Sequence, residues 1–222
     1  MTPRRRKTIN HVLDLRQPDL TVITERVIKE RNLAAIVRTC DAVGVPEVHC
    51  VQSKELYRTY RGTSASAQKY VDVHLYDDVS APIALAKGQR GMQVVAAHLS
   101  ATAVDFREID FTQPTALLMG TEIDGVAADT VDQCDANIII PMMGIVESFN
   151  VSVACAIILA EAQRQRQAKG FYDHPRLSET HRQRLFFKWA YPRMAAYCDE
   201  NGIAYPPLDQ HGELIPGTAP SY

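Results

Sequence analysis

Three stretches of this 222-residue chain place polar side chains where the surrounding pattern calls for apolar ones. In "ERNLAAIVRTCDAVGV", residues 30–45, Asn32 and Arg38 stand on a run with helical apolar spacing. In "LLMGTEIDGV", residues 117–126, an apolar strand breaks at Gly120, and Glu122 follows two positions later. In "IIIPMMGIVESFNVSVA", residues 138–154, Ser148, Asn150 and Ser152 crowd the start of a long apolar helix. Taken singly, each reads as something plain. Asn32 reads as a helix N-cap with Arg38 a surface arginine, and Gly120 as a turn. Ser148 or Asn150 reads as a cap. Capping needs one such residue, however, and the third stretch supplies three. Free amides at a helix start also suit an anionic group. The surplus argues for a site whose work is hydrogen bonding, orientation and charge stabilisation.

The elements that must position these residues alternate. Strands are expected over 21–27, 47–52, 71–76, 92–99, 115–120 and 136–142, each short and rich in β-branched residues. Helices are expected over 79–89, 126–134 and 151–167, and over 32–45 with Gly44 as its stop. Residues 176–200 read as helical, followed by a proline-rich tail. Strands alternating with helices predict an α/β fold with a mostly parallel sheet. Runs such as NIIIPM fit a sheet covered on both faces. The expected divisions are a basic helical extension at 1–20, a central domain at 21–170, and a helical extension with tail at 171–222.

Neither G-x-G-x-x-G nor G-x-x-x-x-G-K-[ST] occurs, so a dinucleotide fold and a P-loop are not supported. The five cysteines are scattered without a C-x-x-C pair, which reads as reduced packing thiols and no metal. The opening MTPRRRK leads into TINHVLDLRQPDL without an apolar core, so no secretory signal is expected.

The formal charge of −2 hides a segregation. Residues 1–31 hold eight Lys/Arg against four Asp/Glu, and residues 161–194 hold eight against three. Residues 70–160 hold three against twelve. Basic segments around an acidic middle suit a polyanionic partner. The segment 53–69 interleaves Lys54, Arg58, Arg61 and Lys69 with Tyr57 and Tyr60, a mixture fit for phosphate contact and base stacking. Expected RNA contacts are Arg4, Arg5, Arg6, Lys7, Arg58, Arg61, Arg164 and Arg166.

The three stretches, in this order, resemble the knotted SPOUT methyltransferases, of the TrmH type that methylates ribose 2′-hydroxyls of tRNA. The segments RQPDLTVITERV, AAHLSATAVDFREIDFTQPT and EAQRQRQAKGFY extend the resemblance over roughly residues 15–175. It implies a deep trefoil knot, S-adenosyl-L-methionine as cofactor, tRNA as substrate, a homodimer and a cytoplasmic enzyme. By position it places cofactor contacts at Ala97, Met119, Gly120, Ile140, Met142, Ser148 and Phe149. It places catalytic roles on Asn32, Arg38, Glu122, Ser148 and Asn150. Arg31, Ala34 and Phe149 stand where relatives often have histidine, serine and leucine, and none of these departures removes a residue assigned to chemistry. The target that best fits the resemblance is a guanosine at position 18 of the D-loop. Its alternatives are another tRNA or rRNA nucleotide, or a non-catalytic RNA-binding homodimer. A guanidinium with a pKa above about 12 is a poor general base, so Arg38 is expected to orient phosphate and stabilise the developing oxyanion.

Overall fold

The computed structural model describes residues 1–27, 29–52, 69–121 and 125–220. They form two compact units, Gln17–Phe171 and a second made from both chain ends, Met1–Arg16 with Tyr172–Tyr222.

The larger unit is a seven-stranded sheet in which every pairing is parallel. Its strands are β1 (Leu20–Glu25), β2 (Glu47–Val51), β3 (Asp72–Tyr76), β4 (Gln93–Ala97), β5 (Val104–Asp105), β6 (Thr115–Met119) and β7 (Ala136–Ile139). Their order is β3-β2-β1-β6-β4-β7-β5. Every residue of β1, β2 and β6 is buried, as a sheet covered on both sides requires. Alternation divides each strand between two cores. Leu20, Val22, Leu117, Met119 and Val95 face one, and Ile23, Ala116, Leu118, Val94 and Ala96 face the other.

The first core is closed by α2 (Glu30–Val43) and α5 (Val151–Ala168), which pack on each other. The second is closed by α3 (Ser80–Ala84), which widens into a π-helical turn over Leu85–Gln89. A short α4 (Ala128–Val131) follows β6. Helix α2 stops at Gly44, whose φ of 87° is left-handed. The Gly44 and Val45 amides then donate to the carbonyls of Asp41 and Cys40. One expectation fails at the other end. Lys29, not Asn32, is the N-cap residue, and Asn32 lies inside the first turn, buried at 8% exposure.

A second correction concerns Arg166, expected on the surface as a phosphate contact. Its side chain is 0% exposed. Nε donates to the Phe111 carbonyl at 2.9 Å, and Nη1 to Asp19 Oδ1 at 2.6 Å and Gln17 Oε1 at 3.2 Å. Nη2 donates to the carbonyls of Asp19 and Gln113, and the guanidinium lies over the Phe171 ring. A planar fork that answers a carboxylate and three loop carbonyls has no donor left for RNA. Beside it, Gln165 accepts from the Phe111 amide at 2.8 Å and donates to the Ile109 carbonyl at 3.0 Å.

The smaller unit contains α1 (Pro3–Asp14), α6 (Glu179–Ala190) and α7 (Pro192–Asn201). The sequence from 176 to 200 breaks at Tyr191 because Pro192 disfavours a helical residue before it and starts α7 at its first position. Helix α1 packs on α6, where Arg182 donates to Asp14 at 2.6 Å and to Asn10 Oδ1 at 2.9 Å. Arg5 and Arg6 each give one donor to a backbone carbonyl, of Trp189 and of His211. Arg4 and Lys7 are exposed. No helix among the described residues is long and apolar enough to cross a membrane.

Candidate active site

Open parallel sheets bind ligands at the carboxyl ends of their strands, where the direction of winding reverses. Here the chain runs outward through β1, β2 and β3, then returns to build β4 beyond β6. At the carboxyl ends of β4, β6 and β7 lies a cavity of about 670 Å³. That volume suits a nucleoside-sized ligand. The cavity collects all seven of the expected cofactor contacts, Ala97, Met119, Gly120, Ile140, Met142, Ser148 and Phe149.

Gly120 is required by close backbone approach. A Cβ on it would stand 2.1 Å from the Gly125 carbonyl oxygen and 2.4 Å from the Val126 nitrogen. The chain folds back here, the Thr121 amide donating to the Gly125 carbonyl at 2.8 Å, and Gly125 itself has a φ of 67°. Glu25, buried at the end of β1, anchors the start of α4. Its carboxylate accepts from the Ala127 amide at 3.2 Å and the Thr130 hydroxyl at 3.0 Å. Sequence reading missed Glu25, although a carboxylate closing the all-buried strand LTVITE was a visible signal. It also missed His98, which lines the cavity directly after β4. The His98 ring makes no hydrogen bond among the described residues.

The surplus of polar residues before α5 divides into separate tasks. Asn150 is the N-cap, its Oδ1 accepting from the Ser152 amide at 3.0 Å and the Ser152 hydroxyl at 2.6 Å. Its Nδ2 donates to Asn32 Oδ1 at 3.2 Å, tying the start of α5 to the first turn of α2. Ser148 is exposed at the cavity wall and does not cap the helix. The structure therefore joins Asn32 with Asn150, and places Ser148 in the cavity. It does not place Arg38 there. Arg38 is exposed on α2, and its guanidinium has no hydrogen bond or ion pair among the described residues. Glu122, Arg58 and Arg61 lie outside the described residues. Arg164 is 68% exposed and held by Glu161 at 2.7 and 2.8 Å.

The titratable groups with large shifts lie elsewhere. Burial pushes Glu47 up, but hydrogen bonds from His74 and Arg90 together with the Arg90 charge outweigh it and bring Glu47 to about 2. Burial lowers His49 to about 4. None of these residues lines the cavity, and their mutual bonds satisfy them as a structural cluster on β2 and β3. Among the described residues no group of three or more His, Cys, Asp or Glu side chains could hold a metal ion.

A parallel sheet with a nucleoside-sized cavity at its carboxyl edge, beside a glycine turn and an asparagine-capped helix, is an architecture able to bind a nucleoside-bearing cofactor. The chain belongs to the SpoU rRNA methylase family, whose model matches residues 19–160, and a C-terminal SpoU rRNA methylase model matches residues 164–216. It is 47% identical over 216 residues to a tRNA (guanosine(18)-2′-O)-methyltransferase of Escherichia coli K12, covering 96% of this chain and 94% of that one. The crystal structure of the Aquifex aeolicus TrmH/SpoU tRNA-modifying enzyme is 42% identical with a TM-score of 0.75, covering 85% of this chain and 96% of the other. An AdoMet-bound rRNA methyltransferase from Sinorhizobium meliloti is 29% identical with a TM-score of 0.53, covering 67% of this chain and 60% of that chain.

Proposed function

We infer that this chain transfers a methyl group from S-adenosyl-L-methionine to the ribose 2′-hydroxyl of a tRNA guanosine, at position 18 of the D-loop. What carries the reading is the joining of Asn32 to Asn150 beside a cavity that gathers every expected cofactor contact. The alignment with a tRNA methyltransferase along nearly the whole chain, extensions included, favours tRNA over rRNA.

The cavity fits the cofactor. It has the volume, and Ala97, Met119, Gly120, Ile140, Met142, Ser148 and Phe149 would hold the nucleoside and its tail. When bound, the cofactor supplies a methyl on a sulfonium, already a strong electrophile. The chain's own task is alignment. Asn150 holds the start of α5 against α2, and Ser148 offers a hydroxyl at the wall. Arg38 donates to substrate phosphate and to the ribose oxygen as its charge develops, a role suited to a permanently charged fork.

Arg38 does not line the cavity, which supports a homodimer in which one subunit's Arg38 serves the other's pocket. Met143, Ile145, Val146 and Val153, together an exposed apolar surface around the start of α5, support burial against a second copy. The same reading makes the segment around β7 and α5 the trefoil knot and the enzyme a cytoplasmic one. Exposed Arg4, Lys7 and Arg164 would meet tRNA phosphates, joined by Arg5 and Arg6 through their remaining donors and by Arg58 and Arg61.

Incubating the protein with methyl-labelled S-adenosyl-L-methionine and bulk tRNA, then digesting and mapping the product, tests the reading. Label in 2′-O-methylguanosine at position 18 is the expected result. Label at another nucleotide, on a base or only in rRNA would refute the assignment.

A further inference from the structure

Among the described residues one non-glycine residue has a positive φ, Arg26, at 53°. Residues other than glycine, asparagine and aspartate seldom adopt this left-handed conformation, and where they do the strain often accompanies function. Arg26 follows the last residue of β1, and its amide donates to the Val51 carbonyl at 3.2 Å, at the end of β2. Thr24 pairs with Met119, so Glu25 and Arg26 leave the sheet alongside Gly120 and Thr121, one strand spacing from the cavity. Arg26 does not line that cavity, whose walls come from β4, β6, β7 and the start of α5. It stands on the other side of Gly120, toward β2. Its side chain is exposed and makes no hydrogen bond or ion pair among the described residues. Three positions on, Lys29 and then Arg31 are also exposed, leading into the turn of α2 that carries Asn32. The left-handed turn thus sets an exposed arginine at the carboxyl edge of the sheet, in a stretch where Arg26, Lys29 and Arg31 outweigh Glu30.

We propose that Arg26 is a substrate-binding residue whose guanidinium holds a backbone phosphate of the RNA close to the target ribose. The proposal rests on the reading of this chain as a tRNA ribose methyltransferase. Phosphate is favoured over the cofactor carboxylate because Arg26 lies outside the cavity and within a cationic run that a polyanion matches. It acts on affinity and register, with no part in the chemical step.

Arg26→Gly and Arg26→Asn separate the side chain from the backbone, since both residues accept the left-handed conformation with less strain. The expected melting temperature is unchanged or higher. The Kd for an unmodified tRNA transcript, measured without cofactor, should rise about tenfold, and KM for tRNA with it, while kcat changes less than threefold. The dependence of log Kd on log salt should lose about one phosphate contact, a slope change of roughly 0.7–0.9. S-adenosyl-L-methionine affinity should stay constant, and Arg26→Lys should recover part of the tRNA affinity. Wild-type tRNA Kd and KM in both Gly and Asn variants would overturn the proposal while leaving the methyltransferase intact. Weakened cofactor binding with unchanged tRNA Kd would overturn it too, assigning Arg26 to the cofactor carboxylate. A wild-type protein that neither binds nor methylates tRNA would remove both the proposal and the reading beneath it.

Discussion

At its N-terminal end α5 begins on Asn150, whose amide caps the helix and reaches across to Asn32, with Ser148 exposed beside it. At its C-terminal end Arg166 and Gln165 are locked to the loops that precede β1 and β6. The sequence paints these ends the other way round, with VSVACAIILA apolar at the start and AQRQRQ polar at the finish. Yet Val153 near the start is 44% exposed while Arg166 near the finish is fully buried. The two ends differ because they face different surroundings. The finish packs against turns that present a carboxylate and several carbonyls, and an arginine fork answers them at once. The start faces a cavity and an exposed apolar surface, with Ser148 at the cavity wall and Asn150 bonded to Asn32. One end fixes the axis of the helix so that the other can hold Asn150 at a set place.

Removing the lock should have the largest effect. Arg166→Ala removes all five hydrogen bonds of this guanidinium, the charged one to Asp19 included, and breaking such a buried pair costs about 3–5 kcal/mol. For a chain of this size that is a fall of roughly 10 °C in the melting temperature, read by calorimetry. A fall of only a degree or two would put Arg166 on the surface in solution and dissolve the contrast.

At the working end, Arg38→Ala should slow single-turnover methyl transfer about a hundredfold, near 2.7 kcal/mol, with cofactor affinity unchanged. Arg38→Lys should recover little, because the planar fork is lost. Mixing Arg38→Ala chains with Gly120→Ala chains under subunit exchange should restore part of the activity. Absence of recovery in verified heterodimers would place Arg38 and the cavity in separate, unshared sites.

The smallest effect is expected two residues from the lock. Arg164→Ala removes an exposed, solvent-screened ion pair to Glu161 within the helix and should leave the melting temperature nearly unchanged. It should flatten the salt dependence of tRNA binding, as should alanine at Arg4 and Lys7. An unchanged slope would mean that these side chains are solvated faces and that tRNA is gripped elsewhere.

Much of the fold and the site is legible in the sequence. The six expected strands appear with no end shifted by more than three residues, because apolar β-branched runs between turn residues carry their own signal. The two-residue β5 is not foreseen, since Val104–Asp105 is too short to show a period. The seven residues that line one cavity together are named in advance through the family resemblance of the three stretches, not through the local sequence pattern. Arg166 is misread because helical spacing does not say which face of a polar run another loop will cover. Asn32 is misread as a cap because Lys29, three residues earlier, begins the helix without any capping side chain. The left-handed turn at Arg26 has no local signature at all; only the assembled edge of the sheet reveals it.

The claim that the start of α5 is the working end is tested most directly by single-turnover methyl transfer to tRNA in Asn150→Ala at saturating cofactor. Loss of the cap should cost about 1 kcal/mol, a few degrees of melting temperature. The folded variant should still bind S-adenosyl-L-methionine and transfer its methyl about a hundredfold more slowly than wild type. Transfer at the wild-type rate would contradict the claim.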